Sequence, residues 1–268
     1  MAAVMTRAAE SKSPEFLRNS VRHLCLEHGS QPNDAKRVLS ICTGTVDLGA
    51  ASLAWDPTFL PTLAGMRLQR MAGFLTHLFG GKTSVDLTHP GCAFITHLDV
   101  FDHLRDGLLE ICAQIPRLPA LTHLTLDHDV SVDTITTLLI ECLRLQVLFL
   151  GWTRYERDEY EMRRIPHVYD ERFVIGLYVN DWSDWEAAAK GLPDLWSLAG
   201  NFVARKRKGE IEAALPWGLL NHGTVTVAMQ WPIYDRVLNC AADDAAVVVG
   251  RLAVKAVKAL WKARDDRG

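Results

Sequence analysis

Ile95-Thr96-His97-Leu98-Asp99-Val100, Leu121-Thr122-His123-Leu124-Thr125-Leu126 and Leu145-Gln146-Val147-Leu148-Phe149-Leu150 are copies of one phrase, apolar at its first, fourth and sixth positions. Val21-Arg22-His23-Leu24-Cys25-Leu26 is a further copy, and weaker ones centre on Leu48 and Met71. Marking each phrase by its middle apolar residue gives Leu24, Leu48, Met71, Leu98, Leu124 and Leu148, with steps of 24, 23, 27, 26 and 24 residues. Leucine-rich repeats run at roughly 20–29 residues, and every step falls in that window. Successive side chains of a strand point to opposite faces. In the copy at 121–126, Leu121, Leu124 and Leu126 therefore point into the stack, while His123 and Thr125 point away.

Helical spacing separates the phrases. Leu108, Ile111, Cys112 and Ile115 recur on one helical face after Asp106. Ile135, Leu138, Leu139 and Cys142 do so after the N-cap residues Ser131 and Asp133. One strand and one helix cannot bury both of their faces alone, but stacked copies can. The expected fold is α/β, a leucine-rich-repeat-like solenoid of about six to seven strand-helix repeats with strands on the concave side and a helical cap. The alternative is a compact α/β domain whose periodicity is accidental.

This reading divides the chain into a flexible N-terminus at 1–17, the solenoid at 18–179, a helical cap at 180–215 and a C-terminal extension at 216–268. The stretch from Arg154 to Arg172 is dense in charges of both signs, a solvated excursion before a last strand at Arg172–Val179. The cap carries Leu195, Leu198, Phe202 and Val203 on a helix, with Trp182, Trp185 and Trp196 read as packing residues that cover the last repeat. Beyond Pro216 a strand is expected at Thr224–Met229, and an amphipathic helix from Asp243 to Arg264 that docks on its own domain.

The chain has 268 residues, a formal net charge of -3, 49% hydrophobic and 23% charged residues, the mix of an ordinary globular protein. That balance supplies no global field for nucleic acid or an anionic membrane. The six cysteines form no CxxC pair and are read as reduced thiols. With no apolar run of signal-peptide or membrane-spanning length, the expected place is cytoplasmic or nuclear, without membrane insertion. Phe79-Gly80-Gly81-Lys82-Thr83-Ser84 is like a phosphate loop, but that loop needs glycine where Thr76 stands. No HExxH or GxSxG occurs. Arg205-Lys206-Arg207-Lys208 is read as a solvated helix end in preference to a nuclear-localisation or phosphate-contact cluster.

Register alone selects a candidate surface. His23, Asp47, Arg70, His97, Asp99, His123, Thr125 and Phe149 fall on the outward strand face. Charge, imidazole and one aromatic suit a protein partner better than a small apolar ligand. The expected function is a protein-protein interaction scaffold with no catalysis of its own and no cofactor. His97 and His123 also occupy equivalent positions of adjacent repeats, where strands lie about 4.8 Å apart. With Asp99 they offer an alternative, a metal-dependent hydrolase.

Several phrases and their flanks resemble a family. Val21-Arg22-His23-Leu24, Ile41-Cys42-Thr43-Gly44, Ile95-Thr96-His97-Leu98-Asp99, Asp181-Trp182 and Ala204-Arg205-Lys206-Arg207-Lys208-Gly209-Glu210-Ile211 are similar to stretches of the uncharacterised F-box-like leucine-rich-repeat proteins of mushroom-forming fungi. The resemblance spans about residues 18–212. It implies a solenoid that recognises proteins, and as a further alternative the substrate-receptor subunit of a cullin-type ubiquitin ligase that lacks a visible F-box. It supplies no catalytic residue.

Overall fold

The computed structural model describes residues 11–26, 32–50, 55–127, 130–153, 168–178, 185, 187–211, 217–221 and 224–226. Strands and helices alternate along them. Helix α1 (Pro14–Ser20) leads into β1 (His23–Leu26), α2 (Pro32–Ile41) and β2 (Asp47–Ala50). There follow α3 (Leu60–Leu63), β3 (Arg70–Gly73), α4 (Leu75–Phe79), β4 (His97–Val100), α5 (Leu108–Cys112) and β5 (His123–Asp127). Next come α6 (Val132–Glu141), β6 (Val147–Thr153), β7 (Phe173–Tyr178), α7 (Leu195–Arg207), β8 (Trp217–Asn221) and β9 (Thr224–Thr226). Ser131 caps α6 as expected, its Oγ accepting the Thr134 N–H at 3.2 Å.

The strands stand side by side in sequence order. Neighbours from β1 to β8 pair in parallel, and β9 returns antiparallel to β8. This is a solenoid-like α/β arrangement, and its register is the one the phrases predict. Leu24 pairs with Leu48, Leu48 with Met71, Met71 with Leu98, Leu98 with Leu124 and Leu124 with Leu148.

One backbone motif sets that register. At each strand entry a single carbonyl accepts two consecutive N–H groups of the next repeat. Arg22 O takes those of Val46 and Asp47 at 2.9 and 3.1 Å, and Val46 O those of Gln69 and Arg70 at 2.8 and 3.1 Å. Gln69 O serves Thr96 and His97, Thr96 O serves Thr122 and His123, and Thr122 O serves Gln146 and Val147.

The inward residues form one continuous core with the helices. Leu24, Leu48, Met71, Leu98, Leu124 and Leu148 pack in the same cluster as Val38, Leu39, Leu63, Leu78, Ile111, Ile135 and Leu138. Cys42, Cys92 and Cys142 recur just before a strand phrase, and all three are buried there. The five described cysteines are free thiols, and burial raises the thiols of Cys42, Cys92, Cys112 and Cys142.

The sheet continues past Pro216, where Ile175 of β7 pairs with Trp217 of β8 and Thr224–Thr226 of the strand expected at Thr224–Met229 forms β9. Helix α7, expected to cover the last repeat, packs on β6, β7 and β8, on the opposite face of the sheet from the other helices. The physical reason lies in β6 and β7, where Val147, Phe149 and Val174 are apolar on the outward side and bury against Leu195, Leu198, Ala199, Phe202 and Val203. Trp182, most of the charged excursion, the N-terminal residues 1–10 and the helix expected at 243–264 lie outside the described residues.

Adjacent repeats are also tied by a buried carboxylate. Asp102, fully buried just after β4, accepts the N–H groups of Leu75 and Thr76 at 2.6 and 3.1 Å and the Thr76 hydroxyl. It thereby caps α4, whose own N-cap residue Phe74 offers no side-chain bond. Replacing it leaves buried N–H groups unpaired. Asp102→Ala is expected to lose about 2–3 kcal/mol of stability, measured by chemical denaturation; a loss under about 0.5 kcal/mol would show that α4 does not need this cap.

Candidate functional site

The outward residues form two rows across the sheet. The first runs His23, Asp47, Arg70, His97, His123, Val147, and the second Cys25, Gly49, Ala72, Asp99, Thr125, Phe149. All eight candidate residues therefore lie on the face that repeat register assigns to them. Their exposure is another matter. Phe149, Thr125, Asp99 and Asp47 are buried at 0%, 4%, 4% and 5%, and cannot make first contact with a partner in this conformation. For Phe149 the cause is α7. For Asp47 one cause is local, since its Oδ2 lies 2.7 Å from Nδ1 of the more exposed His23. The open concave surface expected from register is not present at these four positions.

Arg70, His97 and His123 remain partly accessible, and the chain brings distant residues to them. Arg70 Nη2 donates to Asp194 Oδ2 at 2.5 Å, a contact between side chains 124 residues apart. Asp194 is also the N-cap of α7. Its Oδ1 accepts the Ser197 N–H at 2.9 Å, and Ser197 Oγ lies 2.8 Å from the Asp194 N–H, completing a capping box. Burial pushes the Asp194 carboxyl upward, but the Ser197 bonds and Arg70 outweigh it and hold it below its ordinary value. Arg70 further lies over the Trp185 ring, 5.6 Å from its centroid.

The two imidazoles stack. His97 and His123 have ring centroids 4.2 Å apart and planes 7° apart. Trp196 stands nearly perpendicular to both, at 5.4 and 5.7 Å. Burial lowers His97 to about 3, helped by the neighbouring His123 and Arg70 and opposed by Asp194. Burial lowers His123 to about 4, with Asp194 opposing and Arg70 adding. Both rings are therefore neutral near pH 7. Parallel rings also have parallel lone pairs, which do not converge on one ion, while zinc needs each nitrogen at about 2.0–2.1 Å in a tetrahedral set. Among the described residues, no group of three or more His, Cys, Asp or Glu is placed to hold a metal ion.

Each ring is held by the residue before it. Thr96 Oγ1 lies 2.8 Å from His97 Nδ1 and 3.0 Å from Gln69 O. Thr122 Oγ1 lies 2.8 Å from His123 Nδ1 and 3.0 Å from Thr96 O. The same Thr-His pair thus repeats one step along the sheet.

Arg70, His97, His123, Asp194, Trp196, Ser197, Gly200 and Asn201 together line a cleft of about 360 Å³. The sequence reading found the three sheet residues and missed the five from α7 and its cap. The available signals were the Asp194-Leu195-Trp196-Ser197 start and a glycine inside a helix.

The basic cluster 205–208 does not form a free patch. Lys206 is buried and donates to Phe173 O at 2.8 Å, its pKa lowered by burial to about 8. Arg205 pairs with Glu210 at 3.2 Å and Arg207 with Glu171 at 2.7 Å. No described helix is long and apolar enough to cross a membrane. No protein-family model matches the chain, and no curated protein or solved structure matches it.

The lowered histidines make stability depend on pH. The unfolded chain takes up protons near pH 6.5, whereas folded His97 and His123 resist until about 3 and about 4. Stability therefore falls as pH drops below 6.5, with a limiting slope of about 1.4 kcal/mol per pH unit for each histidine. Thermal melts between pH 7 and 5 are expected to show this, and the double variant His97→Gln/His123→Gln to flatten it; an equally steep fall in the double variant would clear these two rings of the effect.

Proposed function

We propose that this chain is a leucine-rich-repeat-like binding scaffold, and that it recognises a protein partner through the cleft between the strand-entry row and α7. The observation that carries this reading is the cleft's construction. Repeat register lines up Arg70, His97 and His123 across three strands, and α7 adds Asp194, Trp196 and Asn201 from far along the chain. The mixture of imidazole, indole and one guanidinium is the kind enriched at protein interfaces. The resemblance to F-box-like leucine-rich-repeat proteins of mushroom-forming fungi points the same way, since those solenoids are expected to recognise proteins. The partner-binding set is accordingly narrower than register alone implies: His23, Arg70, His97 and His123 are accessible in whole or part, whereas Phe149, Thr125, Asp99 and Asp47 are buried.

Asn201 is exposed at the mouth of the cleft. Asn201→Trp is expected to abolish capture of the partner from native lysate, with the melting temperature within about 2 °C of the parent. Thr137→Trp, on the exposed side of α6, serves as the control and should capture normally. Equal capture by both variants would remove the cleft from recognition.

A further inference from the structure

Leu143, Tyr169 and Ile140 are the most exposed large apolar side chains among the described residues, at 89%, 83% and 66%. All three sit at the C-terminal end of α6. Ile140 is in its last turn, and Leu143 follows it. Tyr169 is brought there by its neighbours. Asp170 accepts from the Arg172 guanidinium at 2.7 and 3.0 Å, and Arg172 Nη2 donates to Leu139 O at 2.8 Å. Val132, in the first turn of α6, is exposed as well. Single apolar residues on a surface are ordinary, but a group of them marks a surface that something covers.

The place of this group in the fold accounts for it. Helix α6 is the last of the helices α2 to α6 that pack on the inward face, whereas α7 lies on the other. Parallel strands are joined by right-handed crossovers, and each helical residue turns 100° from the one before it. Ile135, Leu138 and Leu139 of α6 face the core. The residue after a core position, Thr136 after Ile135 and Ile140 after Leu139, is then turned away from α5, toward the place of a next helix. A terminal repeat ordinarily presents a polar outer flank. The flank of α6 is apolar instead, as if one more helix belonged beside it.

We propose that the stretch Val249–Leu260 of this same chain docks on the outer flank of α6 as the next helix of the layer. Val249, Leu252, Ala256 and Leu260 recur at helical spacing, and Arg251, Lys255, Lys258 and Lys262 recur beside them. The apolar stripe matches Ile140 and Leu143. The charges match as well. The charged residues within α6 are Asp133 and Glu141, and that within α5 is Glu110; all three are acidic and exposed. Two copies meeting flank to flank would set acid against acid, which disfavours a second copy as the occupant. The connection is long enough. β9 ends at Thr226, three strands from β6, about 15 Å at the usual strand spacing. Residues 227–248 can span up to ~70 Å. This flank and the cleft lie on opposite sides of the sheet, so the inference stands apart from the partner reading.

The test uses the full chain carrying Leu143→p-benzoylphenylalanine. An equal mixture of ¹⁴N- and ¹⁵N-labelled protein is irradiated, digested after Asp and Glu, and read by mass spectrometry. The expected cross-link joins position 143 to Val249–Leu260, with both peptides of one isotope. Mixed-isotope pairs would assign the flank to a second copy. A cross-link to any other stretch would assign it to that stretch, and no cross-link would leave the flank bare. Each of these three results overturns the proposal. A second readout needs no cross-linker. Trypsin cleaves at Arg251, Lys255 and Lys258 in proportion to the fraction of chains whose segment is undocked. Ile140→Lys/Leu143→Lys sets cations against the basic margin without touching the core, so it should speed that cleavage roughly tenfold. Leu192→Lys, an exposed apolar position elsewhere, should leave the rate unchanged. Cleavage at Lys206, which is buried in the fold, should stay slow in every variant, separating undocking from unfolding. Equal cleavage of the segment in the parent and the double variant would also overturn the proposal.

Discussion

The carbonyl that closes each strand entry is the constraint on which the rest of the molecule depends. Arg22 O, Val46 O, Gln69 O, Thr96 O and Thr122 O each accept two N–H groups from the following repeat. A shift of one residue would turn every inward leucine outward, and it would also break a doubly bonded carbonyl at every step. Backbone and side chains therefore agree on one register. Because the site's sheet residues come from successive entries, that register places His97 against His123 and Arg70 beside them. The threonines extend the same constraint to the rings, since Thr96 and Thr122 bond the entry carbonyls through their hydroxyls while holding Nδ1 of the next residue. Ring orientation is thus inherited from the sheet's own hydrogen bonding.

The outward face changes character along the sheet, and α7 follows that change. At β3 to β5 the entry row is Arg70, His97 and His123; at β6 it becomes Val147. The start of α7 is correspondingly polar, with Asp194 on Arg70 and Trp196 beside the imidazoles. Its apolar face, formed by Leu195, Leu198, Ala199, Phe202 and Val203, buries Phe149 and Val174. Fully burying one phenylalanine contributes about 1.5–3 kcal/mol, whereas a partly exposed ion pair contributes about 1 kcal/mol or less. The apolar face of α7 therefore supplies most of the docking energy. The ion pair and the capping box determine where the helix begins, and hence which residues meet the cleft.

The sheet was legible in the sequence because its signal is periodic and local. Six marks read from leucines and one methionine are the residues that pair across the strands. The direction of each side chain was legible for the same reason. What lies above a side chain was not, since alternation reports orientation and says nothing of long-range cover. Phe149 was read as an exposed aromatic because it points away from the repeat core, and it does point away; a second core lies there. Val147, Phe149 and Val174 were the available warning, because a strand apolar on both faces is covered on both. The lie of α7 across the outward face was not legible either, since it depends on contacts between residues far apart in the chain, such as Arg70 with Asp194 and Phe149 with the apolar face of the helix.

The histidine pair also shows how one feature can change meaning between sequence and structure. Two histidines and an aspartate at repeat spacing are compatible with metal binding when only their separation is known. Stacking removes the convergence of their lone pairs, and burial favours the uncharged rings. Asp99, the third member of the set, lies in the second row and is buried. The same two rings, each held by the threonine before it, form one wall of the cleft beside Trp196. Neutrality fits that position, because an imidazolium would place a second positive charge beside Arg70. The neighbouring Arg70–Asp194 pair fits this arrangement, since it offsets the charge of Arg70 at the cleft.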